Sequence, residues 1–122
     1  MENSNHPTFG NGKICYLEIP SLDINVSAGF YEKVFGWKIR NDNAGNISFD
    51  DGVGEVSGMW VTSRKPAAET GIMISIMVDS IAATINLISA NGGKILHVDI
   101  ESSEKIAHFA DPSGVVFGLY QH

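Results

Sequence analysis

The chain has 122 residues, 43% of them hydrophobic and 18% charged, with a formal net charge of −6. That length suits one ordinary domain, and Arg64 and Lys65 are the only adjacent cations, which argues against a nucleic-acid partner. No apolar run approaches the roughly 18 residues of a membrane helix. The single Cys15 excludes an internal disulfide and a cysteine-based zinc site.

Residues 1–12 are polar and lack a signal-peptide core, so they are expected to be a flexible lead-in. A cytoplasmic setting follows by default. In "KICYLEI" (13–19), Cys15, Leu17 and Ile19 alternate with Ile14, Tyr16 and Glu18, the pattern of a half-polar strand. Cys15 is expected to be a buried, inert thiol. Asp23 is placed to cap a helix. Ile24, Ala28, Tyr31 and Phe35 recur at helical spacing, with Phe30 and Val34 widening the stripe. Gly36 can take the left-handed conformation that stops the helix. "WKIR", "NISFD" and "EVSGMWVT" read as three short strands joined by the turns "NAG" and "DDGVG".

The linker 63–71 follows, and then the same order of signals returns. Asp79 stands 56 residues after Asp23, and at that offset Gly36 matches Gly92, Lys38 matches Lys94 and Ile39 matches Ile95. "GIMISIMV" sets Ile72, Ile74, Ile76 and Val78 on one strand face and Met73, Ser75 and Met77 on the other. Asp79 or Ser80 caps a helix with Ile81, Ile85 and Ile88 inward, and "NGG" ends it. "KILHVDI", "KIAHFA" and "VVFGLYQ" are strands, and "DPSG" (111–114) is a β-turn with proline second and glycine fourth. The expected architecture is α+β. Two βαβββ modules, 13–62 and 72–122, form one structural domain with a curved, cavity-enclosing sheet and helices on its outer face.

That order, with "FYEKVFGW" (30–37) on the first helix and "DPSGVVFGLYQ" (111–121) at the end, resembles the glyoxalase/bleomycin-resistance/extradiol dioxygenase superfamily. The resemblance runs from about Lys13 to Gln121. It implies a homodimer and, in catalytic members, a divalent metal held by His and Glu in the cavity. The family's C-terminal glutamate falls on Gly118, and its histidine at the start of the second module falls on Met73. The first-strand ligand falls near Ile14 or Tyr16, and the fourth near Met59, where only Glu55 has ligating chemistry. The resemblance therefore implies a member without the usual ligands, and no metal or other cofactor is expected. Gly118 is either a lost ligand position that opens space or a place where another group packs closely.

The mixed strand faces then line the cavity. A two-residue turn at Ser102 and Ser103 sets His97 opposite His108, with Leu96, Val98, Ala107 and Phe109 on the helix-covered face. The candidate ligand-binding residues are Tyr16, Glu18, Trp60, Met73, Ser75, Met77, His97, His108, Gly118 and Tyr120. Whether Trp60 or Met59 faces the cavity is open, because both faces of that strand are part apolar. His97 and His108 are either polar residues on a damp sheet face, ligand contacts, or an acid–base or metal pair with Glu18. The expected function is a metal-independent small-molecule-binding protein holding a mostly apolar ligand. The alternative is a superfamily lyase, isomerase or dioxygenase-like enzyme whose catalytic candidates are His97, His108 and Glu18. The expected partners are a small molecule and a second copy, with no nucleic acid and no membrane.

Overall fold

The computed structural model describes residues 6–67 and 71–121. Parts of the lead-in (1–5) and of the linker (68–70), and the terminal position 122, lie outside the described residues. The elements run β1 (Tyr16–Pro20), α1 (Ile24–Phe35), β2 (Lys38–Asn41), β3 (Ile47–Asp50), β4 (Ser57–Val61), β5 (Ser75–Val78), α2 (Ile81–Ala90), β6 (Lys94–Asp99), β7 (Lys105–Ala110) and β8 (Val116–Gln121). This is βαβββ twice. Each module makes a four-stranded sheet, ordered β1-β4-β3-β2 and β5-β8-β7-β6. In each, the first and last strands pair in parallel and the remaining neighbours are antiparallel. The sheets curve and stay separate rather than closing.

The local signals act as their chemistry requires. The Asp23 carboxylate accepts the Val26 N–H at 3.2 Å, satisfying one of the orphan donors of the first turn of α1. In α2 the corresponding residue is Ser80, whose hydroxyl accepts from Ala83. The repeated glycines Gly36 and Gly92 have φ of 71° and 92°, so both helix ends turn through the left-handed region that other residues resist. Lys38 and Lys94 then open β2 and β6.

The helix-covered faces of the two sheets share one core. Tyr31 of α1 stacks on Trp37 and also lies against Trp60 of the first sheet and Phe117 of the second. Phe30 touches Phe109, and Ile81 and Ile88 of α2 are fully buried beside them. Two hydrogen bonds tie the first module to the "DPSG" turn. The Tyr31 hydroxyl donates to Asp111 at 2.9 Å, and the Leu22 N–H donates to Ser113 at 2.9 Å.

Five residues with core-facing strand patterning are exposed instead. Cys15 is exposed, because the core ends at Leu17 and the side chain projects past it. Ile72 and Ile74 are exposed as well, since regular pairing of β5 begins only at Ser75. Leu96 and Val98 are 49% and 38% exposed. They lie on an outermost strand of the second sheet, and the register shifts between Ile95 and His97, a β-bulge that lifts Leu96 out of the alternation.

Candidate functional site

Each sheet has a face turned away from the helices, and strand register sets its residues in rows. In the second sheet Ser75 pairs with Gly118, Gly118 with His108, and His108 with His97. These four form one row across all four strands. Met77, Tyr120, Ile106 and Asp99 form the next. The two imidazole centroids are 5.5 Å apart, and neither ring makes a hydrogen bond among the described residues. The expected opposition of His97 and His108 is present, with the bulge displacing only the residues before it. Met73 lies just before β5 and is half-exposed.

Gly118 has a specific neighbour. A Cβ placed there would come within 2.6 Å of the Ser75 hydroxyl oxygen. The space that glycine leaves is therefore taken by a cross-strand hydroxyl, which is the close-packing reading of this position. The contact is with the far end of a small side chain, so rotation of Ser75 would free the space.

In the first sheet the open face carries Tyr16, Ser57, Asp50 and Lys38 in one row and Glu18, Met59, Ser48 and Arg40 in the next. Arg40 grips Asp50 with two hydrogen bonds of 3.0 Å, and the Ser57 hydroxyl donates to the same carboxylate at 2.7 Å. Burial works to raise the pKa of Asp50. The Ser57 and Arg40 hydrogen bonds, with the charges of Arg40 and Lys38, outweigh it and hold the group below its usual value. Glu18 pairs with Arg64. Arg40, Asp50, Ser57 and Arg64 escaped the sequence reading. Strands of four or five residues carry too few periods to fix a face, and no local motif joins Arg64 to Glu18.

The expected site is thus divided. Ser75, Met77, His97, His108, Gly118 and Tyr120 share the open face of the second sheet. Tyr16 and Glu18 stand on the first. Trp60 lies on neither open face. It is 1% exposed in the core against Tyr31 and Phe49, and Met59 takes the open side of β4. Of the two residues between which the sequence leaves the choice open, Met59 faces the open side and Trp60 the core. Its indole N–H has no hydrogen-bond partner among the described residues.

The metal site implied by the resemblance does not fit these residues. The positions that the resemblance equates with the ligands hold thioethers, a phenol or aliphatic group, and a glycine, and hard divalent ions select carboxylate oxygen and imidazole. Among the described residues no three His, Cys, Asp or Glu side chains converge, so Glu18 does not join the two histidines within one chain. No described helix is long and apolar enough to cross a membrane.

Two clefts follow the seam between β1 and β5. One, of about 470 Å³, is walled by Leu17, Phe35, Trp37, Phe49, Ile74 and Phe117. The other, of about 320 Å³, has Glu18 and Arg64 among its lining residues.

Comparison with known proteins agrees with this architecture. The family model described as the Glyoxalase/Bleomycin resistance protein/Dioxygenase superfamily matches residues 13–119. A glyoxylase-like domain-containing protein from Didymella fabae is 31% identical over 100 residues, covering 70% of this chain and 73% of that protein. Among solved structures, the hypothetical protein SA1046 from S. aureus superposes with a TM-score of 0.73 at 16% identity, covering 93% of this chain and 96% of that one. The fosfomycin resistance protein FosX from Mesorhizobium loti superposes with a TM-score of 0.70 at 13% identity, covering 93% and 94%.

Proposed function

The chain belongs to the glyoxalase/bleomycin resistance protein/dioxygenase superfamily, and on that premise we propose that it is a small-molecule-binding protein that works without a resident metal. The row Ser75–Gly118–His108–His97 carries the proposal. It offers two imidazoles and a hydroxyl for orienting a ligand, bordered by the thioethers of Met73 and Met77 and the ring of Tyr120. Tyr16 and Glu18 on the first sheet complete the candidate set, in a second copy of the chain or in the same one. A ligand held this way is mostly apolar with one or two polar groups. Binding of this kind sequesters a drug or metabolite stoichiometrically. A cytoplasmic setting and a homodimer that covers the open faces belong to the same proposal. Met77 at 69% exposed and Tyr16 at 50% are apolar surface that a second copy would cover.

The proximity of the two imidazoles favours one second reading, an isomerase or lyase using His97 and His108 as acid and base. Elemental analysis tests the absence of a resident metal first, on protein purified without chelator and again after soaking in zinc, nickel, manganese and ferrous salts, and turnover lost in His97→Ala or His108→Ala would mark the acid–base reading. The binding proposal expects no stoichiometric metal in either sample. It also expects His97→Ala and His108→Ala to weaken ligand affinity several-fold. About one metal per chain, lost in either variant, would reject it and direct work to lyase and oxygenase assays. Sedimentation at twice the chain mass is the expected result for the dimer.

A further inference from the structure

The larger of the two seam clefts has a chemistry of its own. Apart from Ser75 and Met77, its lining lies off the open faces, and its walls are aromatic and aliphatic. At about 470 Å³ it falls within the roughly 300–1,000 Å³ of small-molecule sites. Its charged lining residues are Asp51 and Asp79, and no lysine, arginine or histidine lines it.

The two carboxylates are held differently. Oδ1 of Asp51 accepts the backbone N–H groups of Glu55 at 2.7 Å and Val56 at 3.1 Å, which fixes the carboxylate at the cleft. Asp79 is exposed and makes no hydrogen bond or ion pair among the described residues, because Ser80 caps α2 in its place. Neither aspartate is neutralised by a basic side chain of the described residues.

An apolar cleft with aromatic walls and two unneutralised carboxylates disfavours anions by repulsion and gains nothing electrostatic from neutral molecules. A cation gains from both carboxylates, and an apolar body attached to it covers the aromatic and aliphatic walls. The apolar walls require that the charge be carried on an apolar body, because a small hydrated ion would leave them uncovered. We infer that this cleft binds an organic cation, an ammonium group on an aromatic or alkyl skeleton. The inference does not rest on the reading of the open faces, and neither His97 nor His108 lines the cleft.

The test uses one skeleton in three charge states at pH 7: 4-phenylbutylamine, 4-phenylbutanol and 4-phenylbutanoate. Amide proton–nitrogen spectra of the full chain report affinity and location together. The amine is expected to bind about tenfold tighter than the alcohol, in line with two carboxylates at the cleft. The carboxylate is expected not to bind. Shifts should centre on residues 51–56 and 74–79. Asp79→Asn should remove most of the amine's advantage while leaving the alcohol's affinity unchanged. Ile74→Trp, which fills the cleft from an exposed position just before β5, should abolish binding of both. Equal affinity of amine and alcohol would overturn the inference, as would shifts mapping elsewhere or an Asp79→Asn chain that keeps the full preference.

Discussion

At the scale of single residues, two glycines in strands do different work. A Cβ on Gly58 would lie 2.2 Å from the carbonyl oxygen of Leu17 and 2.5 Å from the Phe49 ring. The first is backbone, so β1 and β4 cannot keep their register around an alanine there. Gly58→Ala is expected to destabilise the fold by about 1–3 kcal/mol in chemical denaturation. A Cβ on Gly118 meets mainly the Ser75 hydroxyl, which can rotate away or be removed. Gly118→Ala should therefore cost less than Gly58→Ala. Its cost should fall further in a Ser75→Ala background, a coupling that a double-mutant cycle reads directly. Equal costs for Gly118→Ala in both backgrounds would show that Ser75 is not what requires the glycine. In the sequence, both glycines present the same signal: a gap in a run of good strand residues. The neighbour that each one accommodates comes from another strand.

At the scale of elements, the segment from His6 to Lys13 is fastened by a single side chain. Glu55 accepts from the Thr8 N–H at 3.0 Å and the Thr8 hydroxyl at 3.1 Å, pairs with Lys13 at 3.3 Å, and bonds the His6 ring. The Thr8 backbone bond leads the groups that stabilise the ionised form, and together they lower the pKa of Glu55 from 4.5 to about 2. A depressed acid contributes stability above its unfolded pKa and loses it as pH falls through the folded value. The latch should therefore hold at pH 4.5 and weaken only toward pH 2. The Thr8 amide shift should titrate with a midpoint near about 2. Glu55→Gln should remove that titration and speed hydrogen exchange at Thr8. A midpoint near 4.5, or no change on substitution, would show that the segment is held by something else. The periodic signals identified β1, α1 and the hairpins, but they carry no information on this latch, whose partners are 42 to 49 residues apart.

At the scale of the whole molecule, the two modules are joined by a buried polar contact within an aromatic core. The Tyr31 hydroxyl donates to Asp111, whose other oxygen accepts the backbone N–H groups of Ser113 and Val115. Burial and the Asp111 charge push the tyrosine well above its ordinary 10.0, so it remains a donor at neutral pH. Burial also raises Asp111, against the backbone bond from Val115 and the bond from Tyr31. A raised acid favours the folded state at low pH, and that contribution is lost as pH rises through the folded value. At pH 7 the ionised carboxylate depends on its donors. Tyr31→Phe should then cost about 1–3 kcal/mol at pH 7, the usual cost of leaving a buried acceptor short of a partner. The cost should be smaller at pH 4, where a larger fraction of Asp111 is protonated. Denaturation curves at both pH values check the sign, and a larger loss at pH 4 would contradict it.

The sequence by itself determined the elements, their order and the family. Caps, left-handed glycines, the "DPSG" turn and strand alternation are local, and their physics acts within a few residues. It also placed His97 opposite His108, because a short turn ties the two strands together. The tertiary structure decided what required distant partners. Trp60 and Met59 both belong to a part-apolar strand, and only the packing of α1 over β4 put the indole in the core and the thioether on the open face. Cys15 and Ile72 carry apolar strand patterning, yet both lie beyond the end of the core. The Arg40–Asp50 and Arg64–Glu18 pairs depend on strand register and on the course of the linker. Apart from Met73, which precedes β5, the sequence placed every candidate site residue on its strand. How those strands were shared between two sheets was settled by long-range packing, which a pattern that repeats every two or four residues does not encode.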